Sequence, residues 1–218
     1  QAWDAYAPFR QYLQDQGIDP ETVVSAAVFT AGEPEQATRS LDDSAIDAVS
    51  IKEMVRCDSG VQSPCDDGDQ RRCDSDPVGY DEIQGILRVP DYTDDNGKVV
   101  WDEFDRPMVQ GSEQVCFSLS IPEGTLPEDG WPTVLFAPDL NRTFREAIQT
   151  GLAAALAEEG FATLTLELPR QGARGQDDLV QLNQPSVWLA NLLQHQGDLH
   201  AALELAHSFS LSADQSPT

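Results

Sequence analysis

Asp139 follows the apolar run Val134-Leu135-Phe136-Ala137, and Glu167 falls at the end of a second run, residues 161–168. If both runs are strands of one α/β sheet, the two carboxylates reach the edge where such sheets place their sites. Acid/base work or cation binding is the chemistry open to them there. Hydrogen bonding to loop N–H groups, or pairing with Arg142 or Arg174, is the structural alternative and the expected role. A second acidic group, Asp66, Asp67, Asp69, Asp74 and Asp76, crowds the segment around Cys65 and Cys73. Hard oxygen ligands pinned by a disulfide suit calcium, so this is the candidate metal site, although no cofactor is required; an acidic loop that simply faces water is the structural alternative and the expected role. The stretch DYTDDNGKVVWDE places Asp94, Asn96, Gly97, Val99 and Glu103 at calcium-loop offsets. The first ligand position falls on Tyr92, so a tight Asn-Gly turn is expected instead. His195, His200 and His207 are five and seven residues apart. That is not the i, i+4 pair of helix-borne zinc ligands, and it predicts a polar helix face.

Cys57, Cys65, Cys73 and Cys116 complete the reactive inventory. The segment holding the first three is too rich in Gly, Ser and Asp to build a core. No C-x-x-C pair or nearby His suggests zinc. Two disulfides are therefore expected, in any of three pairings, each stabilising the loop by about 3 kcal/mol. They imply an oxidising compartment, extracellular or periplasmic.

The elements that must position these groups follow from periodicity. The run 134–137 lies between Pro132 and Pro138 and reads as a strand buried on both faces. Thr143-Phe144-Arg145-Glu146 has capping-box spacing, and Ile148, Leu152, Ala155 and Leu156 carry one helix to Gly160. A helix start also explains Asn141-Arg142-Thr143 better than glycosylation does. A buried strand at 161–168 and a long helix at 186–206 follow. Strand, helix and strand in this order predict a parallel pair joined by a crossover. Nearer the N-terminus, Tyr6, Phe9, Arg10 and Leu13 share a helix face that Gly17 ends. Residues 23–30 favour a strand, and 35–55 an interrupted helix. Residues 85–89 and 98–101 flank Asn96-Gly97 as hairpin arms, and 115–121 alternates as a half-buried strand. No internal repeat stands out.

Residues 131–175, with the helix at 186–206 behind them, resemble the first half of the α/β-hydrolase fold, in particular large secreted bacterial lipases and esterases. The likeness rests on the strand at 133–138, the Ala/Leu-rich helix at 146–158, the strand ending Glu167-Leu168-Pro169, and the loop Gly172-Ala173-Arg174-Gly175. Residues 17–36 and 85–92 resemble the region that precedes the hydrolase core in those proteins. The resemblance implies a partial hydrolase sheet with antiparallel N-terminal strands over 81–218. A small α+β region with the disulfide-rich loop 57–76 would occupy 1–80. It further implies an oxyanion-loop region at Pro138, Asp139, Leu140 and Asn141. Here Pro138-Asp139 stands where those proteins have His-Gly, and Gln171 where they often have His. Proline has no N–H to donate, and a carboxylate repels an oxyanion. No G-x-S-x-G nucleophile elbow occurs. Such a chain is an N-terminal portion whose serine comes from elsewhere, or an extracellular binding or structural protein on a hydrolase-like scaffold. In the resemblance the missing nucleophile strand lies beside residues 133–137, which predicts pairing there with the rest of the domain, a second chain or another copy.

The 218 residues are enough for a sizeable core, and they carry a formal charge of −25. That charge excludes phosphate-backbone binding as a function. No apolar run is long enough for a transmembrane helix. Starting at Gln1, the sequence reads as a processed or internal start of a secreted product.

Overall fold

The computed structural model describes residues 2–26, 39–41, 49–65, 68, 71–73, 79–139, 142–174 and 185–208. Two compact units form, Gln1–Pro34 and Glu35–Thr218. In the first, helices α1 (Ala2–Ala5) and α2 (Ala7–Gln16) lead to a left-handed Gly17 cap. Leu13 is the buried residue of α2, as its spacing predicts. Residues 23–26 form no strand, and 27–30 lie outside the described residues.

The second unit is built on a mixed five-stranded sheet, β1 (Ser50–Arg56), β2 (Tyr80–Asp91), β3 (Gly111–Pro122), β4 (Thr133–Phe136) and β5 (Ala162–Leu166). Their spatial order is β1-β2-β3-β5-β4. The first four neighbours in that order are antiparallel, and β4 runs parallel to β5. The expected parallel pair is present, and so are the antiparallel strands before it.

Strand alternation gives the sheet two unlike faces. Val115, Phe117, Leu119, Leu164 and Leu166 pack in one apolar cluster with Ala201, Ala202 and Leu205 of the long helix Pro185–Ser208. The residues between them, Ser118, Ser120, Thr163 and Thr165, are also buried, on the opposite face. Strand β3 is therefore covered on both sides rather than half-buried. On the polar face sit α3 (Glu146–Gln149) and α4 (Leu152–Glu158), whose Ala147, Ala153 and Ala157 cluster with Tyr80. The long helix is α5.

Three expectations need correction. The helix after β4 is broken, because Gly151 at φ +78° separates α3 from α4. Residues 50–56 are not helix but the edge strand β1, paired with Ile83–Arg88; among the described residues of the expected helix, 39–41 are helical. Its Lys and Glu side chains suit a solvent-facing edge, which cross-strand pairing rather than propensity stabilises. Strand β4 is only half-buried, being the outermost strand.

The Asn-Gly turn forms, but the strand before it pairs with β3 and not with residues 98–101. Residues 94–101 and 102–109 instead make two successive copies of one turn. Asp94 Oδ1 accepts from the N–H groups of Asn96 and Lys98 at 2.9 Å, and Asp102 Oδ1 from Phe104 and Arg106 at 2.8 and 2.9 Å. Bridges Thr93–Val99 and Trp101–Pro107 occupy equivalent places, as do the left-handed residues Gly97 and Asp105. Hydrogen bonds hold both carboxyls below the usual range, led by the Lys98 N–H at Asp94 and the Arg106 side chain at Asp102. This eight-residue repeat is hidden in the sequence because only Asp and Lys/Arg recur.

Candidate functional site

The carboxyl ends of β4 and β5 lead into Ala137-Pro138-Asp139 and Glu167-Leu168-Pro169. Both predicted carboxylates reach this edge, but their surroundings differ. Asp139 is exposed, whereas Glu167 retains 1 % of its accessible surface. Arg71 grips Glu167 with both guanidinium nitrogens, Nη1 on Oε1 and Nη2 on Oε2, the latter at 2.9 Å. The same arginine donates from Nε to the Cys65 carbonyl at 3.0 Å and stacks 5.1 Å from the Phe144 ring centre.

Neither of the two arginines named from sequence takes that role. Arg142 lies 3.5 Å from Glu146, and Arg174 reaches only the main-chain oxygen of Glu167, at 2.9 Å. Gly172 belongs to the same assembly. Its φ of +48° favours glycine, and a Cβ there would lie 2.6 Å from Glu167 Cδ.

Two disulfides, Cys57–Cys73 and Cys65–Cys116, deliver Arg71 to this place. They bear out the expected oxidation and select one of the three pairings. Asp66, Asp67, Asp69, Asp74 and Asp76 lie outside the described residues. Among the described residues no group of three or more metal-type side chains converges.

The Pro138-Asp139 loop is fixed from two sides. Gln171 donates from Nε2 to the carbonyls of Pro138 and Asp139 at 2.8 and 3.1 Å, and accepts the Leu168 N–H at 3.1 Å. The Asp139 N–H donates to Glu146 Oε2 at 2.6 Å. Glu146 therefore serves this loop instead of closing a capping box on Thr143. Pro138 offers no N–H and that of Asp139 is engaged, while Leu140 and Asn141 lie outside the described residues.

Two further buried networks flank the edge. On the polar face Arg145 binds Glu82 through Nε and Nη2, both at 2.9 Å. Ser118 and Gln84 also donate to Glu82, at 3.1 and 2.7 Å. Burial, then the charge of Glu82, raises the Tyr80 hydroxyl. On the α5 side Arg174 pairs with Glu113 at 2.6 Å and with Asp198. Gln194 joins Asp198 to the backbone of β2, donating to Asp198 Oδ1 at 2.8 Å and to the Pro90 carbonyl at 2.7 Å. Burial pushes Asp198 up to about 6, against the pull of Arg174. Burial likewise lowers His195. His195 and His200 are half-buried rather than on an open polar face, and the His207 side chain lies outside the described residues.

No protein-family model matches this chain. No curated protein or solved structure is significantly similar to it either. What the edge can do is therefore read from its chemistry alone. Glu82, Glu113, Glu167 and Asp198 are each bound by an arginine, whose N–H groups occupy their oxygens. The Ser118 hydroxyl donates to Glu82, and the histidines lie on α5, against the opposite face of the sheet. Arg71, Glu82, Glu113, Arg145 and Asp198 were not identified from sequence. The sequence signal of a buried polar face is alternation, Glu82 and Gln84 about Ile83, Ser118 and Ser120 about Leu119, and Thr163 and Thr165 about Leu164.

Proposed function

We propose that this chain is the N-terminal part of a secreted α/β-hydrolase-like protein of the lipase/esterase type, completed by another segment or chain that pairs with β4. The observation that carries the reading is the strand order β2-β3-β5-β4, with its parallel pair outermost. The resemblance implies antiparallel strands before the parallel pair and an additional strand beside β4. Among the described residues nothing pairs with the outer side of β4, although Val134, Leu135 and Phe136 are apolar. Apolar parallel strands are seldom left at an open edge. Two disulfides, with no helix among the described residues long and apolar enough to cross a membrane, are compatible with an extracellular or periplasmic location.

A second reading, a non-catalytic extracellular binding or structural protein, is favoured by the edge itself. Pro138 and Asp139 present no spare N–H, and Glu167 is locked to Arg71. One experiment separates the two. The chain alone should neither hydrolyse short-chain p-nitrophenyl esters nor label with a serine-directed fluorophosphonate. Activity appearing only with a co-purified second chain or a longer product supports the hydrolase reading. Association without activity supports the scaffold reading, and stoichiometric labelling of the isolated monomer overturns both.

A further inference from the structure

At the end of the parallel pair away from the Arg71–Glu167 edge there is a cavity of about 600 Å³. Thr133 and Ala162, the first residues of β4 and β5, line it, so it lies at the amino ends of those strands. Its floor is the apolar face of the sheet, Phe117, Leu119 and Leu164, and Leu205 of α5 forms a wall. Loop 123–131 carries Glu128 and Asp129 onto the lining. None of the described residues that line it is Lys, Arg or His.

We propose that this cavity binds a small apolar molecule with a single cationic head, an alkylammonium in the simplest case. A volume of this size suits a ligand of roughly 12–25 heavy atoms, in the usual range of pocket sizes. The floor removes an alkyl chain from water, the largest favourable term available to such a ligand. The two rim carboxylates choose the head group. A unit charge near a carboxylate in water gains or loses enough to change affinity about fivefold, so cationic, neutral and anionic heads separate in that order. The chain's charge of −25 adds to the rejection of anions. This inference is independent of the hydrolase reading, because it concerns the opposite end of the sheet.

The test titrates the full oxidised chain, by calorimetry at low ionic strength and below micelle concentrations, with dodecyltrimethylammonium, dodecyl maltoside and dodecanoate. Saturable 1:1 binding of the ammonium is expected, about fivefold tighter than the maltoside, with dodecanoate weakest. Glu128→Gln with Asp129→Asn should erase the preference between ammonium and maltoside while leaving maltoside affinity unchanged. Ala206→Phe, which places a ring into the lining, should weaken all three at least tenfold, with circular dichroism confirming that the fold persists. Three outcomes overturn the proposal. They are absence of binding, dodecanoate binding as tightly as the ammonium, and ammonium binding at several equivalents that ignores both variants. The last would mean adsorption to the acidic surface.

Discussion

The two ends of the parallel pair β4/β5 are built on opposite principles. At the carboxyl end the described buried charged and polar side chains are tied to one another. Arg71 fills the space above Glu167, Gln171 and Glu146 tie down Pro138-Asp139, and Arg174 joins Glu113 to Asp198. At the amino end the sheet face is bare hydrocarbon under a cavity with an acidic rim. Among the described residues the carboxyl end is held by ion pairs, and the cavity of about 600 Å³ lies at the amino end.

The largest test of that contrast is Arg71→Ala. It strands a buried carboxylate and should cost about 3–5 kcal/mol, read from the urea midpoint of the oxidised protein. Replacing both partners, Arg71→Met with Glu167→Leu, should recover most of the loss. A single variant as stable as the parent would mean that the pair is not a closed one. Gly172→Ala comes next, at about 2 kcal/mol, since its Cβ intrudes on Glu167 at a φ that suits glycine.

A smaller, pH-dependent effect belongs to Asp198. Burial lifts it to about 6, above the value of about 4 in an unfolded chain. Between those values the folded state holds the extra proton, so this group's contribution is full below about pH 4 and is lost as pH rises towards 6. The melting-temperature advantage of the parent over Asp198→Asn should shrink across that window and then level off. An advantage that grows with pH would show that Arg174 outweighs burial. The least effect is expected at the amino end. Leu126 lines the cavity at 46 % exposure, and its replacement by Ala should stay within about 0.5 kcal/mol. A loss comparable with that of Arg71→Ala would erase the distinction between the two ends.

What sequence reveals here tracks the distance over which residues act. Strand β5, helix α5 and the Gly17 cap are legible because each rests on contiguous apolar periodicity or a local stop signal. The oxidised state of the cysteines follows from a loop that has no core of its own. Strand β1 is missed because Ser50-Ile51-Lys52-Glu53-Met54-Val55-Arg56 has no clear period and becomes a strand only by pairing with β2. The Asn-Gly turn is legible, but the partner of the strand before it is not, because the doubled turn places β3 beyond two copies of the unit. At the candidate site Asp139 and Glu167 were placed on the right edge. The group that neutralises Glu167 lies 96 residues away in the chain, beyond the reach of any local pattern.

The two disulfides interlock, since Cys65 lies inside the ring closed by Cys57–Cys73 and is itself fastened to Cys116. Follow the backbone from 57 to 116, and any single break leaves at least one bridge across the gap. A protease that nicks this segment once therefore produces two fragments that travel together until a reductant is added. On a non-reducing gel the nicked chain would run as a single band, and only reduction would resolve it into two. In a protease-rich environment the region that carries Arg71 could be cut without its pieces separating.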